Sequence, residues 1–99
     1  MARESVFQRK IIKKLEAKGA YVVNIWGNGF MKAGIPDLLV CYKGQFLGLE
    51  LKTDVGVVSK LQIAHMEKIR KAGGRTLLLR PKNENELWQL LNDIDEVLR

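Results

Sequence analysis

Asp37, Glu50 and Lys52 are the side chains whose types and spacing most directly suggest chemistry. Two adjacent carboxylates repel, and one is driven to its protonated form unless positive charge sits between them. A divalent cation meets that need. Mg²⁺ or Mn²⁺ prefers hard oxygen ligands and keeps room for water and for a phosphate oxygen of a substrate. The carbonyl of Leu51, between the second acid and the lysine, is a third candidate protein oxygen. Zinc fits poorly, because Cys41 and His65 are each the sole residue of their type and no Cys/His cluster can form.

The two acids need a turn to meet. Residues 37–42 and 45–52 read as strands, and Lys43-Gly44 between them is a hairpin signal. A two-residue turn there pairs Tyr42 with Gln45 and, counting outward, Asp37 with Glu50. Opposed residues of an antiparallel pair project from one face with Cβ atoms about 4.5–5.5 Å apart. Lys52 shares the face of Glu50, because side chains alternate along a strand. Each residue alone is also explained as the polar face of an ordinary strand, with Asp37 capping a turn after Pro36. The flanking Ile35, Leu38, Leu39, Val40, Leu47, Leu49 and Leu51, however, place this hairpin centrally in a sheet, where charged side chains seldom sit without a task.

The elements around the hairpin carry further candidates. Residues 4–18 predict a helix with Phe7, Ile11 and Leu15 on one stripe, closed at Lys18-Gly19. Glu4 falls on its inward side, where a carboxylate needs a partner. A second helix is expected over 59–72, capped by Ser59 and stopped by Gly73-Gly74, with Gln62 on the stripe of Met66 and Ile69. An amide on an apolar face must find a hydrogen-bond partner. A metal-bound water or a carboxylate would serve, and so would a partner within the core. Residues 21–26 read as a strand, and 27–34 as a glycine-rich loop whose Phe30 suggests a substrate contact. Residues 75–80 read as a buried strand closed by Pro81. Residues 84–98 read as an amphipathic helix with Leu87, Leu90, Leu91, Ile94 and Leu98 on its apolar face. The order αβββαβα, without repeat or linker, predicts one α/β domain over residues 1–99 with helices against a mixed sheet.

Ninety-nine residues with 46% hydrophobic and 28% charged side chains suit an ordinary globular domain. Net charge is +6, unevenly placed: residues 1–82 carry 16 Lys/Arg against 6 Asp/Glu, and residues 83–99 carry 1 against 5. The basic portion suits a polyanion such as DNA, whose phosphates release counterions when neutralised. Lys10 and Lys14 of the first helix, Asn28 and Lys32 of the loop, and Lys60 of the second helix are candidate DNA contacts. Cys41, within an apolar run, reads as a small core residue, and a lone cysteine fits a reducing cytoplasm. No apolar leader and no membrane-spanning run is present in the sequence.

Ile35-Pro36-Asp37 followed by Glu50-Leu51-Lys52 resembles the motif of the PD-(D/E)xK nuclease superfamily. With Glu4 in an opening helix, Gly34-Ile35-Pro36-Asp37 after a loop, and Ser59-x-x-Gln62, the chain is similar over residues 4 to about 80 to the VRR-Nuc family. The resemblance implies a restriction-endonuclease-like αβββαβ core, here with an added C-terminal helix, and metal-dependent phosphodiester cleavage. By the same resemblance, Asp37 and Glu50 hold the metal and Lys52 positions or activates the attacking water and offsets charge on the phosphate. Gln62 orients the site and Glu4 assists. Stand-alone members are phage or bacterial proteins similar to Holliday-junction resolvases that act as homodimers. A homodimer cutting four-way DNA junctions in a bacterial or phage-infected cytoplasm is therefore expected, with the C-terminal helix either at the interface or packed on its own sheet. A less selective or flap-directed nuclease of the same superfamily, and a non-catalytic basic DNA-binding module, remain the alternatives.

Overall fold

The computed structural model describes residues 2–25 and 33–98, with side chains from Ser5 onward. Helix α1 spans Ala2–Ala17, strand β1 Tyr21–Asn24, β2 Leu38–Tyr42, β3 Gln45–Leu51, helix α2 Lys60–Lys71, β4 Arg75–Leu79 and α3 Asn85–Val97. A 3₁₀ turn at Pro81–Asn83, which the sequence reading did not anticipate, joins β4 to α3. The expected α/β order is thus observed.

Helices α1 and α2 both stop where glycine permits it. At the end of α1, Ala20 N–H donates to Leu15 O (3.1 Å) and Gly19 N–H to Glu16 O (3.0 Å), with Gly19 at φ +92°. Gly74 and Gly73 repeat this pattern after α2, donating to Ile69 O and Arg70 O. These are Schellman closures, in which a left-handed residue satisfies the last carbonyls.

The sheet runs in the order β1-β2-β3-β4, antiparallel except for the parallel β3–β4 pair. Strand β2 pairs Leu38 with Leu49, Val40 with Leu47 and Tyr42 with Gln45, the register expected from a two-residue turn. Lys43 and Gly44 both take positive φ, 49° and 82°, as the twist of a tight hairpin requires. Lys43 is held in that conformation by an ion pair to Asp95 of α3 (2.7 Å), and the same carboxylate accepts the Tyr42 hydroxyl (2.8 Å).

Alternation gives each face of the hairpin a separate task. Leu38, Val40, Leu47, Leu49 and Leu51 point to one side and are buried in one core with Phe7, Ile11 and Leu15 of α1 and Leu87, Leu91 and Ile94 of α3. The α3 leucines therefore pack on the chain's own sheet. Phe46, Gly48 and Glu50 point to the opposite side, where α2 crosses: a Cβ on Gly48 would lie 2.7 Å from Ile69 Cδ1. Two earlier expectations change. Cys41 is exposed, because its neighbours Val40 and Tyr42 take the core side and alternation turns it outward. Strand β4, expected buried, is an edge strand whose residues other than Leu79 are half-buried.

Candidate active site

The site lies on the α2 side of the sheet, at the C-terminal end of β3. Asp37 is brought there by a constrained approach. Gly34 has φ +88° and backs directly onto α2, where an added Cβ would fall 2.6 Å from Leu61 Cγ and 2.9 Å from Leu61 O. Pro36 is buried against Gly48. Ile25 N–H donates to Asp37 O (2.8 Å), extending the β1–β2 ladder by one residue. The Asp37 carboxylate then receives the Leu51 N–H on Oδ2 at 2.9 Å. In a strand, a residue's N–H and C=O point to the same edge, so the Leu51 carbonyl also faces the Asp37 edge.

Glu50 is fully buried, with 0% of its surface exposed. Its Oε2 accepts Gln62 Nε2 at 2.5 Å and lies 3.7 Å from Lys52 Nζ. Its Oε1 has no hydrogen-bond partner. Burial foremost, and the neighbouring Asp37 charge next, push the Glu50 carboxyl up to about 8 from 4.5, with Lys52 drawing it partly back. A buried carboxylate oxygen without a donor is costly. The arrangement is therefore short of positive charge at one defined point, between Glu50 Oε1 and Asp37. The chemistry of this donor set fits a divalent cation, which Asp37, Glu50 and the Leu51 carbonyl would hold. Among the described residues no third His, Cys, Asp or Glu joins the pair, which leaves the remaining positions of a hard cation to water and substrate oxygens.

Gln62 reaches Glu50 because its amide is already oriented. Ser59 caps α2, its Oγ accepting Gln62 N–H (3.1 Å), while Gln62 Oε1 accepts Ser59 N–H (2.8 Å) in a reciprocal capping box. With the oxygen engaged at the cap, the Nε2 end is turned to Glu50. Lys52 is anchored by its own N–H, which donates to Leu79 O at 2.9 Å. Asp37, Glu50, Lys52 and Gln62 thus meet in one place. Glu4 lies in α1, and its side chain is outside the described residues.

Residues 1–97 match the family model described as archaeal Holliday junction resolvase (Hjc). The chain belongs to that resolvase family. Among solved structures, it is similar to a VRR_NUC domain at 23% identity and TM-score 0.66, covering 96% of this chain and 92% of that one. It is also similar to Hjc of the archaeal hyperthermophile Archaeoglobus fulgidus, a Holliday junction resolvase, at 19% identity and TM-score 0.56, covering 78% of this chain and 68% of that one. These structures establish the restriction-endonuclease-like fold expected from the motif. A comparison with curated proteins gives no match.

The basic residues of this resolvase-family chain are differently engaged. Lys10 and Lys14 both bind Glu84, at 3.1 and 2.7 Å, and are about half-exposed. Trp88 Nε1 donates to the same carboxylate (3.1 Å). Lys60 is exposed at the start of α2, while Asn28, Phe30 and Lys32 lie outside the described residues. Sequence reasoning overlooked Gln8, which is buried and donates to Asn24 Oδ1 (2.8 Å); its place on the stripe of Ile11 and Leu15 was the available signal. It also overlooked Glu84 and Arg80, whose partners lie far away in sequence and leave no local pattern.

Proposed function

We propose that this chain is a Mg²⁺- or Mn²⁺-dependent endodeoxyribonuclease that cuts four-way DNA junctions as a homodimer. The observation that carries the reading is Glu50 Oε1, a fully buried carboxylate oxygen with no donor, on the residue next to the Leu38–Leu49 pair, which sets Glu50 across from Asp37. When bound, the cation supplies Lewis-acid stabilisation of charge on the scissile phosphate. Asp37, Glu50 and the Leu51 carbonyl hold it. Lys52 keeps an ammonium beside Glu50, where it orients water and offsets charge accumulating on the phosphate. Gln62 fixes the Glu50 carboxylate from one side so that Oε1 stays turned to the site. Family membership supports a structure-selective DNA substrate, and the positive charge of residues 1–82 suits one. A two-fold dimer presents two such sites to two strands symmetrically.

The test is cleavage of labelled four-way junction, flap, nicked and linear duplex DNA in Mg²⁺, Mn²⁺ or EDTA, with sedimentation of the protein alone. Junction cutting that needs metal and disappears in Asp37→Ala and Lys52→Ala is expected. Equal cutting of all substrates would favour the less selective nuclease, and salt-sensitive binding without any cutting would leave a DNA-binding module.

A further inference from the structure

We infer that Arg80 is a positioning residue for Lys52, acting through the turn that follows β3. Nothing in the nuclease motif points to it. Arg80 stands at the end of β4, one residue beyond Leu79, whose carbonyl holds the Lys52 N–H. Its Nη1 donates to two backbone carbonyls of the segment after Lys52, Thr53 O at 2.7 Å and Gly56 O at 2.8 Å. Gly56 N–H donates to Thr53 O (3.2 Å), so one guanidinium clamps both ends of a closed turn. That turn lies against the lysine: a Cβ on Gly56 would be 3.3 Å from both Cβ and Cδ of Lys52. A second tie, Lys82 N–H to Asp54 Oδ1 at 3.3 Å, joins the same turn to the β4–α3 connection.

Arg80 is itself held rigidly. Its N–H donates to Asn83 Oδ1 (2.6 Å), Asn83 N–H returns to Arg80 O (3.0 Å), and Asn83 Nδ2 reaches back to Leu78 O (3.0 Å). The 3₁₀ turn thus fixes Arg80, Arg80 fixes residues 53–56, and Gly56 packs along the stem of Lys52. A flexible four-carbon side chain with three rotatable donors needs such packing to keep its ammonium in one place. Both bonds leave the one Nη1, whose two N–H groups lie in the fixed plane of the guanidinium, an orientation that a freely rotating ammonium on a different stem does not hold. Arg80 thereby acts on the site through the turn that packs along Lys52.

The inference rests on the nuclease reading, and its experiment separates the two. Wild type, Arg80→Gln, Arg80→Lys and Gly56→Ala are compared for junction cleavage in Mn²⁺ and for amide hydrogen exchange. Misplacing a reacting group by about 1 Å can cost roughly 100-fold. Arg80→Gln is expected to lower kcat about 10- to 100-fold with little change in KM, and to speed exchange at Gly56 while Gly48 and Leu49 stay protected. Arg80→Lys, which keeps the charge, should recover only part of the rate. Unchanged kcat, unchanged exchange at Gly56, or a loss residing only in KM and restored by lysine would overturn the inference, the last by showing a direct phosphate contact. If Arg80→Gln does not fold, Gly56→Ala decides, since it crowds the Lys52 stem while leaving both Arg80 bonds possible: a lower kcat supports the inference, a wild-type kcat refutes it. A wild type that cuts no DNA refutes the nuclease reading and the catalytic part of this inference, while exchange at Gly56 still reports whether Arg80 holds the turn.

Discussion

Replacing Glu50 by glutamine should stabilise the metal-free protein at mildly alkaline pH while abolishing its proposed activity. The Glu50 carboxyl is held protonated up to about 8 against an ordinary value of 4.5, chiefly by burial and next by Asp37. A group whose folded pKa is raised contributes stability that is fully present below its unfolded value and lost as pH rises through the folded one. Between these limits the folded chain carries one proton more than the unfolded chain. The slope is then about −1.4 kcal/mol per pH unit, and the whole interval amounts to roughly 5 kcal/mol. For a domain of this size the slope corresponds to about 5–11 °C in Tm per pH unit. Set against a total stability of about 5–15 kcal/mol, the effect is large.

Glutamine keeps the shape, carries no titrating proton, and sets a neutral amide beside Asp37 at every pH. Urea unfolding of wild type and Glu50→Gln in EDTA, at about pH 5, 6.5 and 8, isolates the coupled Glu50–Asp37 pair, because the groups away from it titrate alike in both proteins. The wild-type curve should fall below that of the variant as pH rises. Saturating Mn²⁺ should restore wild-type stability at the upper end, since the cation replaces the proton, and should leave Glu50→Gln nearly unmoved. Parallel pH dependences in EDTA would refute the reasoning that burial near Asp37 governs this carboxyl.

Gly34→Ala should cost about 2–4 kcal/mol in urea unfolding, because alanine is strained at positive φ and its methyl would collide with Leu61; it should also slow cutting by displacing Asp37. Gln62→Glu keeps the capping box with Ser59 but sets a carboxylate against Glu50. Its Tm should be near wild type at about pH 5 and clearly lower at about pH 8 in EDTA, with weaker junction cleavage. Glu84→Gln removes the carboxylate that holds Lys10 and Lys14. Junction binding followed by fluorescence anisotropy should tighten at low salt, and the slope of log K against log salt should steepen by about 1–2. An unchanged slope would show that those lysines do not meet phosphate.

The hairpin was legible in the sequence because its rules are local. A two-residue turn at Lys43-Gly44 sets one register, and that register places Asp37 opposite Glu50 whatever else the chain does. Gln62 was legible for the same reason, since Ser59 sets the start of α2 and helical spacing sets the stripe. Cys41 was misread because an apolar run of sequence hides the alternation that sends Val40 and Tyr42 inward and leaves the thiol outside. The character of β4 depends on its place at the sheet edge, a matter of topology rather than composition. Lys10, Lys14 and Glu84, or Arg80 and the 53–56 turn, meet only after the helices and strands have packed, so no periodicity announces them.

The site concentrates its unfavourable electrostatics on one residue and surrounds that residue with fixed sources of positive potential. Glu50 sits at the end of a central strand whose other face is core, so water cannot solvate it from behind. Gln62, third residue of α2 and fixed there by the Ser59 capping box, donates its amide to Oε2. Lys52 adds a full charge at 3.7 Å from the same oxygen. Both contributions fall on Oε2, and neither bonds Oε1. A fold that needed only to bury a glutamate would satisfy both oxygens, or replace the residue with leucine as at Leu49 and Leu51. If the pair holds a cation as proposed, one oxygen left without a donor beside Asp37 both lowers the stability of the metal-free chain as pH rises and makes metal binding tighten with pH.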